Sequence, residues 1–447
     1  MERISNCTPF SFEDDSSSDN EKKSKNNNEL NFISSNMKLT YTVTDSHLSD
    51  EEIKEEKVEE EVKLDNIYNE ENENNKKIEQ KILDAIKRKE NVSKENLILA
   101  EKIDFKNKPE GVIQTDEFGF INQDNKDVKK EEIEEKRTLS KNDLLTINAR
   151  TEKWRYMLEH YDIYKSKKKK KLKQRTRKGI PDSLRSYIWQ LFGKINQYVM
   201  KDLYENLEKE KLDPEIEITI IKDLDRTFPA CQLFKDKYGA GQRKLFKVLS
   251  NYSKYNSKIG YVQGMGYLVA LFLIYMDEQS SFYLLHSLIK NYGLEGVYLP
   301  GFPDLKKKFF VLLNLEKKFI PKIYEVLKRD TIYPSIYASE WFICLFSKDL
   351  KINVLVRIFD TFLLEGFKVI YRFALAFLKL KEKEFIKGKP GIIYTMEIMK
   401  KCFEEIDIDA LFKVAFGFHL SKKHITKFEQ DYENNKNNKN NEFIKQL

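Results

Sequence analysis

The chain has 447 residues, 34% of them charged and 40% hydrophobic, with a net charge of +7. That length suits one large or two ordinary domains, and so small an excess over so many charges does not by itself point to nucleic acid. The four cysteines, Cys7, Cys231, Cys344 and Cys402, lie far apart; they form no metal-ligand pair and fit unbridged thiols in a reducing compartment.

Residues 1–140 are built from tracts such as "DDSSSDNEKKSKNNN" and "NEENENNKK", with no tryptophan. Such a segment buries too little apolar surface to offset the entropy of ordering it, so it is expected to be a disordered low-complexity region. Within it, 51–91 is expected to be disordered or a lone, transient exposed helix, with a coil that binds a partner as the alternative. The first residues lack the apolar core of a signal peptide and lack Gly at position 2, and the C-terminal "FIKQL" lacks a prenylation cysteine. From Trp154 onward the chain is dense in Phe, Tyr, Leu and Ile. A folded domain is expected over 150–430, followed by a polar tail at 431–447.

The folded part opens on a cationic run, "KSKKKKKLKQRTRKG" at 165–179. A solvated linker is the first expectation. Peripheral contact with an acidic membrane through Lys165–Lys178 is the second. No aromatic residue interleaves the run, so stacking on bases is disfavoured and no nucleic-acid partner is expected. After "KGIP", Leu184, Tyr187, Ile188, Leu191 and Phe192 recur at helical spacing and mark one apolar face. Arg185 and Trp189, at i and i+4, fall on a different face, where cation–π packing is expected.

The stretch "ITIIKDLDRTFP" (218–229) ends a helix predicted over 214–227. Asp213 suits the N-cap, Pro214 the first position, and Glu215 and Glu217 the positive end of the dipole. Pro229 stops it by disfavouring the helical conformation of Phe228. Arg226 falls in the last turn. It either stabilises the helix end, paired with Asp223 one turn back, or presents a cation to a ligand. About 35 residues later comes "SKIGYVQGMGYLVALFL". Gly260 breaks the preceding helix "QRKLFKVLSNYSKYN", and Tyr261-Val262-Gln263-Gly264 opens an apolar one. Gln263 either caps nearby backbone, with Gly264 and Gly266 allowing close packing, or aims its amide at a ligand. The run 267–276, "YLVALFLIYM", is too short to cross a bilayer and is expected to be a buried core helix.

"DLKKKFFVLLNLEKKF", "NVLVRIFDTFLLEG", with Asn353 as cap and Gly366 as stop, and "LFKVAFGFHL" continue the helical period. No series of alternating strands appears. The fold class expected is all-α, one multi-helix domain.

Taken together, the motifs resemble the TBC domains that activate Rab-type small GTPases, over roughly residues 175–385. "RKGIPDSLRSYIW" (177–189) is similar to the family's opening box. Ile220, Asp223 and Arg226 match its I-x-x-D-x-x-R, and Tyr261, Gln263 and Gly264 match Y-x-Q-G. "YASEWFICLFS" (337–347) and "RIFDTFLLEG" (357–366) resemble its later helices. One departure is Gly266, where the family usually has asparagine.

The resemblance implies a multi-helix TBC-type domain. It would supply Arg226 and Gln263 in trans to a Rab-type GTPase in its GTP form, as an activator without substrate turnover of its own. Asp223 would then fix the helix end, and Tyr261 would orient the Gln263 loop. Arg185 would reach Asp223, with Gly264 and Trp189 supporting the site, while Trp341, Phe342 and Asp360 would be structural. No cofactor or metal of its own is implied, because GTP and Mg²⁺ belong to the partner. Control of vesicle traffic from a cytoplasmic location, peripheral on endomembranes, follows. Two rivals are a catalytically inactive adaptor of this fold, which binds a GTPase, and a basic nucleic-acid-binding protein, which rests on the lysine run alone.

Overall fold

Capping side chains, prolines and left-handed glycines cut the chain into short helices. The computed structural model describes residue 116, residues 118–120 and residues 141–436. The expectations for the rest of 1–140 and for 437–447 lie outside the described residues. In chain order the helices are α1 (Lys141–Glu159), α2 (Tyr161–Ser166), α3 (Lys169–Arg177), α4 (Asp182–Gly193), α5 (Leu203–Lys209), α6 (Pro214–Leu224), α7 (Ala240–Tyr255), α8 (Met265–Leu273), α9 (Glu278–Asn291) and α10 (Glu295–Tyr298). They continue with α11 (Leu305–Phe319), α12 (Pro321–Arg329), α13 (Pro334–Tyr337), α14 (Ser339–Ile343), α15 (Ile352–Glu365), α16 (Lys368–Leu380), α17 (Glu382–Lys387), α18 (Ile392–Lys401), α19 (Ile408–Gly417) and α20 (Lys422–Asn435). Among the described residues no strand forms; a lone antiparallel bridge joins Phe120 and Cys231. The fold is all-α, as expected.

The cap of α6 acts where the sequence places it. Asp213 accepts hydrogen bonds from the Glu215 and Ile216 amides at 2.7 and 3.4 Å, with Pro214 at the first helical position. Asp277 accepts from the Ser280 amide at 2.8 Å and starts α9 directly after the apolar run. Gly366, at φ +79°, ends α15, as expected. That helix starts at Ile352 rather than at an Asn353 cap, because Asn353 bends its side chain onto the next amide, Val354, at 2.8 Å.

Helix α8 is the buried axis. Leu268, Val269, Ala270, Leu271 and Phe272 are fully buried, and α8 packs on α7 and α9. The run expected over 267–276 is helical only to Leu273. On α4, Trp189 meets Phe272 of α8 and Phe359 of α15, at ring-centroid distances of 6.4 and 5.4 Å. Each aromatic ring so buried stabilises by about 1.5–3 kcal/mol relative to an exposed one. The face buried by α4 differs from the expected stripe. Arg185 and Trp189 lie inside with Leu184, Ile188 and Phe192, while Tyr187 and Leu191 are only half-buried.

Two boundaries move. Trp154 and Met157 are buried on α1, which begins at Lys141. At the other end, Ile425, Phe428 and Tyr432 form one apolar face of α20, and the Tyr432 ring lies 5.6 Å from that of Phe310. Residues 431–435 are therefore helix, not polar tail.

The cationic run is not a linker either. It folds into α2 and α3. Leu172 and Thr176, four residues apart, are buried, and Arg177 pairs with Glu365 at 2.7 and 3.0 Å. Lys165, Lys169, Lys173 and Lys194 stand around one surface cavity of about 580 Å³.

Candidate functional site

Helix α6 stops at Leu224, three residues short of the expected end, so Arg226 sits on a turn beyond the helix. The cause is local. The Thr227 hydroxyl donates to the Asp223 carbonyl at 2.7 Å, and the Thr227 amide donates to the Leu224 carbonyl at 3.2 Å, which tightens the chain out of the α ladder. Phe228, ahead of Pro229, takes φ +46°, consistent with the helical conformation being disfavoured there. The Arg226 side chain is 44% exposed and ion-paired with Asp223, which is 7% exposed.

The second turn faces the first. Tyr261 donates its hydroxyl to Asp223 at 2.6 Å. Burial, and then the Asp223 charge, push this phenol well above its usual range. Tyr261 is therefore a permanent donor and Asp223 an acceptor shared by Tyr261 and Arg226. Tyr267, on the first turn of α8, donates to the Arg226 carbonyl at 2.8 Å. The two turns are thus joined twice, once by side chain and once through the backbone of the arginine.

Gln263 is exposed on the turn before α8 and makes no hydrogen bond to a described residue. The backbone-capping alternative does not hold. Gly264 follows at φ +104°, where a Cβ would lie 2.7 Å from the Cys344 sulfur and 3.1 Å from Ile343 Cγ2. Only glycine allows this turn to close on α14. A Cβ at Gly266 would sit 3.2 Å from Thr227 Oγ1 and 3.5 Å from the Tyr261 hydroxyl. The family's usual asparagine would therefore press first on the Thr227 hydroxyl that ends α6.

Arg185 does not reach Asp223. Its Nε donates to Asp360 at 3.1 Å, Nη2 to the Ile180 carbonyl at 2.6 Å and Nη1 to Tyr275 at 3.0 Å, with an ion pair to Asp182. Trp189 Nε1 and the Ile180 amide also donate to Asp360, at 2.7 and 2.8 Å. Burial sets the choice. Arg185 and Asp360 both lie in the core, where a charge needs a charged partner, and Asp223 is already taken. The cation–π partner of Arg185 is Tyr275, at 5.1 Å, not Trp189. Trp341 and Phe342 are buried. Thr227 and Tyr267 escaped the sequence reading. Their signal is weak: a hydroxyl four residues after Asp223, and a tyrosine opening an otherwise apolar helix.

The site therefore offers an exposed guanidinium on one turn and an exposed carboxamide on the next, held together through Tyr261 and Asp223. Among the described residues no group of three or more His, Cys, Asp or Glu is placed to hold a metal. No helix among them is long and apolar enough to cross a membrane.

Residues 182–386 match the Rab-GTPase-TBC domain. The all-helical fold is that of a solved flagellar RabGAP TBC domain from Chlamydomonas, with a TM-score of 0.53 at 24% identity over 69% of this chain and 100% of that one. The chain is 33% identical over 266 residues to the TBC1 domain family member whacked of Drosophila melanogaster, covering 58% of this chain and 72% of that protein. It is 31% identical over 287 residues to the Rab GTPase-activating protein tbc-11 of Caenorhabditis elegans, covering 63% of this chain but 31% of that longer protein. The chain belongs to the TBC-domain family of Rab GTPase-activating proteins.

Proposed function

We propose that this chain accelerates GTP hydrolysis by a Rab-type small GTPase in its GTP form, with Arg226 and Gln263 entering the partner's site. The observation that carries this reading is the joined pair of turns: both side chains are exposed, and Tyr261 and Asp223 tie their turns together at 2.6 Å. In the partner, water attacks the γ-phosphorus, the bond to the bridging oxygen breaks, and GDP leaves as the charge shifts among the phosphoryl oxygens. The planar fork of Arg226 spans two of those oxygens and stays charged. The Gln263 carbonyl accepts from the attacking water and orients it. An arginine supplied in trans is worth about 10³–10⁵ in rate.

GTP and Mg²⁺ come with the partner; the chain contributes no cofactor and completes no turnover alone. The setting is vesicle traffic at the cytoplasmic face of endomembranes, with Lys165–Lys178 drawing the domain to acidic lipid.

The test is single-turnover hydrolysis by a panel of Rab proteins, with and without the full chain. Stimulation of at least one Rab by wild type, lost in a folded Arg226→Ala variant, is the expected result. Stimulation retained without Arg226 sinks the mechanism. Binding without stimulation by wild type leaves an adaptor.

A further inference from the structure

A piece of the N-terminal region reaches the arginine turn. Asp116 Oδ1 accepts from the Phe118 and Phe120 amides at 2.9 and 2.8 Å, and Gly119 takes φ +81°, closing a tight turn. The turn is docked. The Gln232 amide donates to the Gly119 carbonyl at 2.6 Å, beside the bridge between Phe120 and Cys231. The Phe120 ring meets that of Phe228 edge-on, at 5.5 Å and 73°. On another side Phe228 meets Tyr267 edge-on at 5.7 Å, and Tyr267 holds the Arg226 carbonyl.

Phe228 is the weak link of this chain of contacts. A bulky residue seldom adopts positive φ, and it persists only where its surroundings over-determine it. Its ring is 7% exposed, and Phe120 and Tyr267 both pack against it edge-on. Two residues earlier stands Arg226, beyond the helix and without its ladder of hydrogen bonds.

We propose that Phe120 is a positioning residue: by walling in Phe228 it fixes the turn that aims Arg226 at the partner's phosphate. This rests on the GTPase-activating reading above. Phe120 touches neither reacting group, so its effect falls on the geometry of the arginine and not on the affinity for the GTPase. A displacement near 1 Å at a reacting group can cost on the order of 100-fold in rate.

The experiment uses the full chain carrying Phe120→Ala, Phe120→Tyr or Gly119→Ala. At Gly119 a Cβ would meet nothing within 4 Å, so that change strains only the backbone of the turn. Hydrogen exchange at the Gln232 amide reports docking, and single-turnover hydrolysis on a responsive Rab separates the maximal rate from the half-saturating concentration. Expected for Phe120→Ala are faster exchange at Gln232 and a maximal rate lower by roughly 10- to 100-fold. Half-saturation should stay within about twofold. Phe120→Tyr restores both readouts, and Gly119→Ala moves them in the same direction as Phe120→Ala. Faster exchange with an unchanged maximal rate overturns the proposal. So does a raised rate, which makes the contact a block, or a change confined to half-saturation, which makes Phe120 part of the partner's footprint. A wild-type chain that protects Gln232 yet stimulates no Rab overturns the underlying reading too, and the protected amide separates that failure from loss of the contact.

Discussion

Lysine and arginine carry the same charge, and position 226 should tell them apart. An ammonium is a point charge without a bidentate fork, so Arg226→Lys is expected to lose nearly as much stimulation as Arg226→Ala. Gln263→Ala should also lose most of it. Gln263 is exposed, so Gln263→Ala should melt within about 0.5 kcal/mol of wild type, whereas Arg226→Ala takes the charged partner from the buried Asp223 carboxylate and should stay folded but lose about 1–2 kcal/mol; single-turnover assays alongside circular dichroism melts check both halves. Arg185 is the contrasting case. Removing its buried partner by Asp360→Ala leaves Arg185 only the exposed Asp182 as a carboxylate partner and strips the Trp189 and Ile180 donors of their acceptor, so it should cost about 3–5 kcal/mol in urea melts, while Asp360→Ala never touches the arginine turn. The placement of Arg226 at a helix end and of Gln263 at a helix start was legible in the sequence, because each stands inside a short motif of fixed spacing. The partner of Arg185 was not, because Asp360 lies 175 residues away and only burial decides which carboxylate a core guanidinium receives.

The start of α6 was written in the sequence and its end was not. A start is set by one side chain reaching two or three residues forward, as Asp213 and Asp277 do. The end of α6 depends instead on Thr227 reaching backward to a carbonyl, which ordinary stop signals do not include. In α3 the cations hid a packed helix, since Leu172 and Thr176 supply too few apolar positions to show a period. The result is a rigid basic face in place of a loose run. Exchanging Lys165, Lys169 and Lys173 for Gln should lower binding to anionic vesicles at low salt and leave stimulation in solution unchanged; cosedimentation at two salt concentrations measures this, because exposed charges are screened. Equal sedimentation of variant and wild type would remove the membrane role from this face.

For the molecule as a whole, the core holds a carboxyl that should shape its pH response. Burial raises Glu316 from its ordinary 4.5 to about 8, although Tyr337 donates a hydrogen bond to it. Below about 4.5 folded and unfolded chains both hold the proton, and stability is unaffected. Between about 4.5 and 8 the folded chain keeps a proton the unfolded chain has released, so stability falls as pH rises, by up to about 1.4 kcal/mol per unit. Above 8 this contribution is flat. Glu316→Gln should remove that slope and gain on wild type as pH climbs from 5 to 8, read from urea melts across that range. Parallel curves would mean that Glu316 does not hold its proton. Nothing in the sequence around Glu316 announced this, because the cost arises from what packs over the residue and not from its neighbours in the chain.

Under the proposed function, the ion pair between Arg226 and Asp223 gives stray anions a competitor. A bare guanidinium on a surface would collect orthophosphate, free nucleotides and phosphorylated peptides, any of which would occupy it. Here one of its nitrogens already faces its own carboxylate, so a loose anion must compete with Asp223 for it. A phosphoryl oxygen brought by a docked GTPase would enter that exchange with a whole interface behind it. On that reading Asp223 would act as a built-in rival to the GTPase's phosphate.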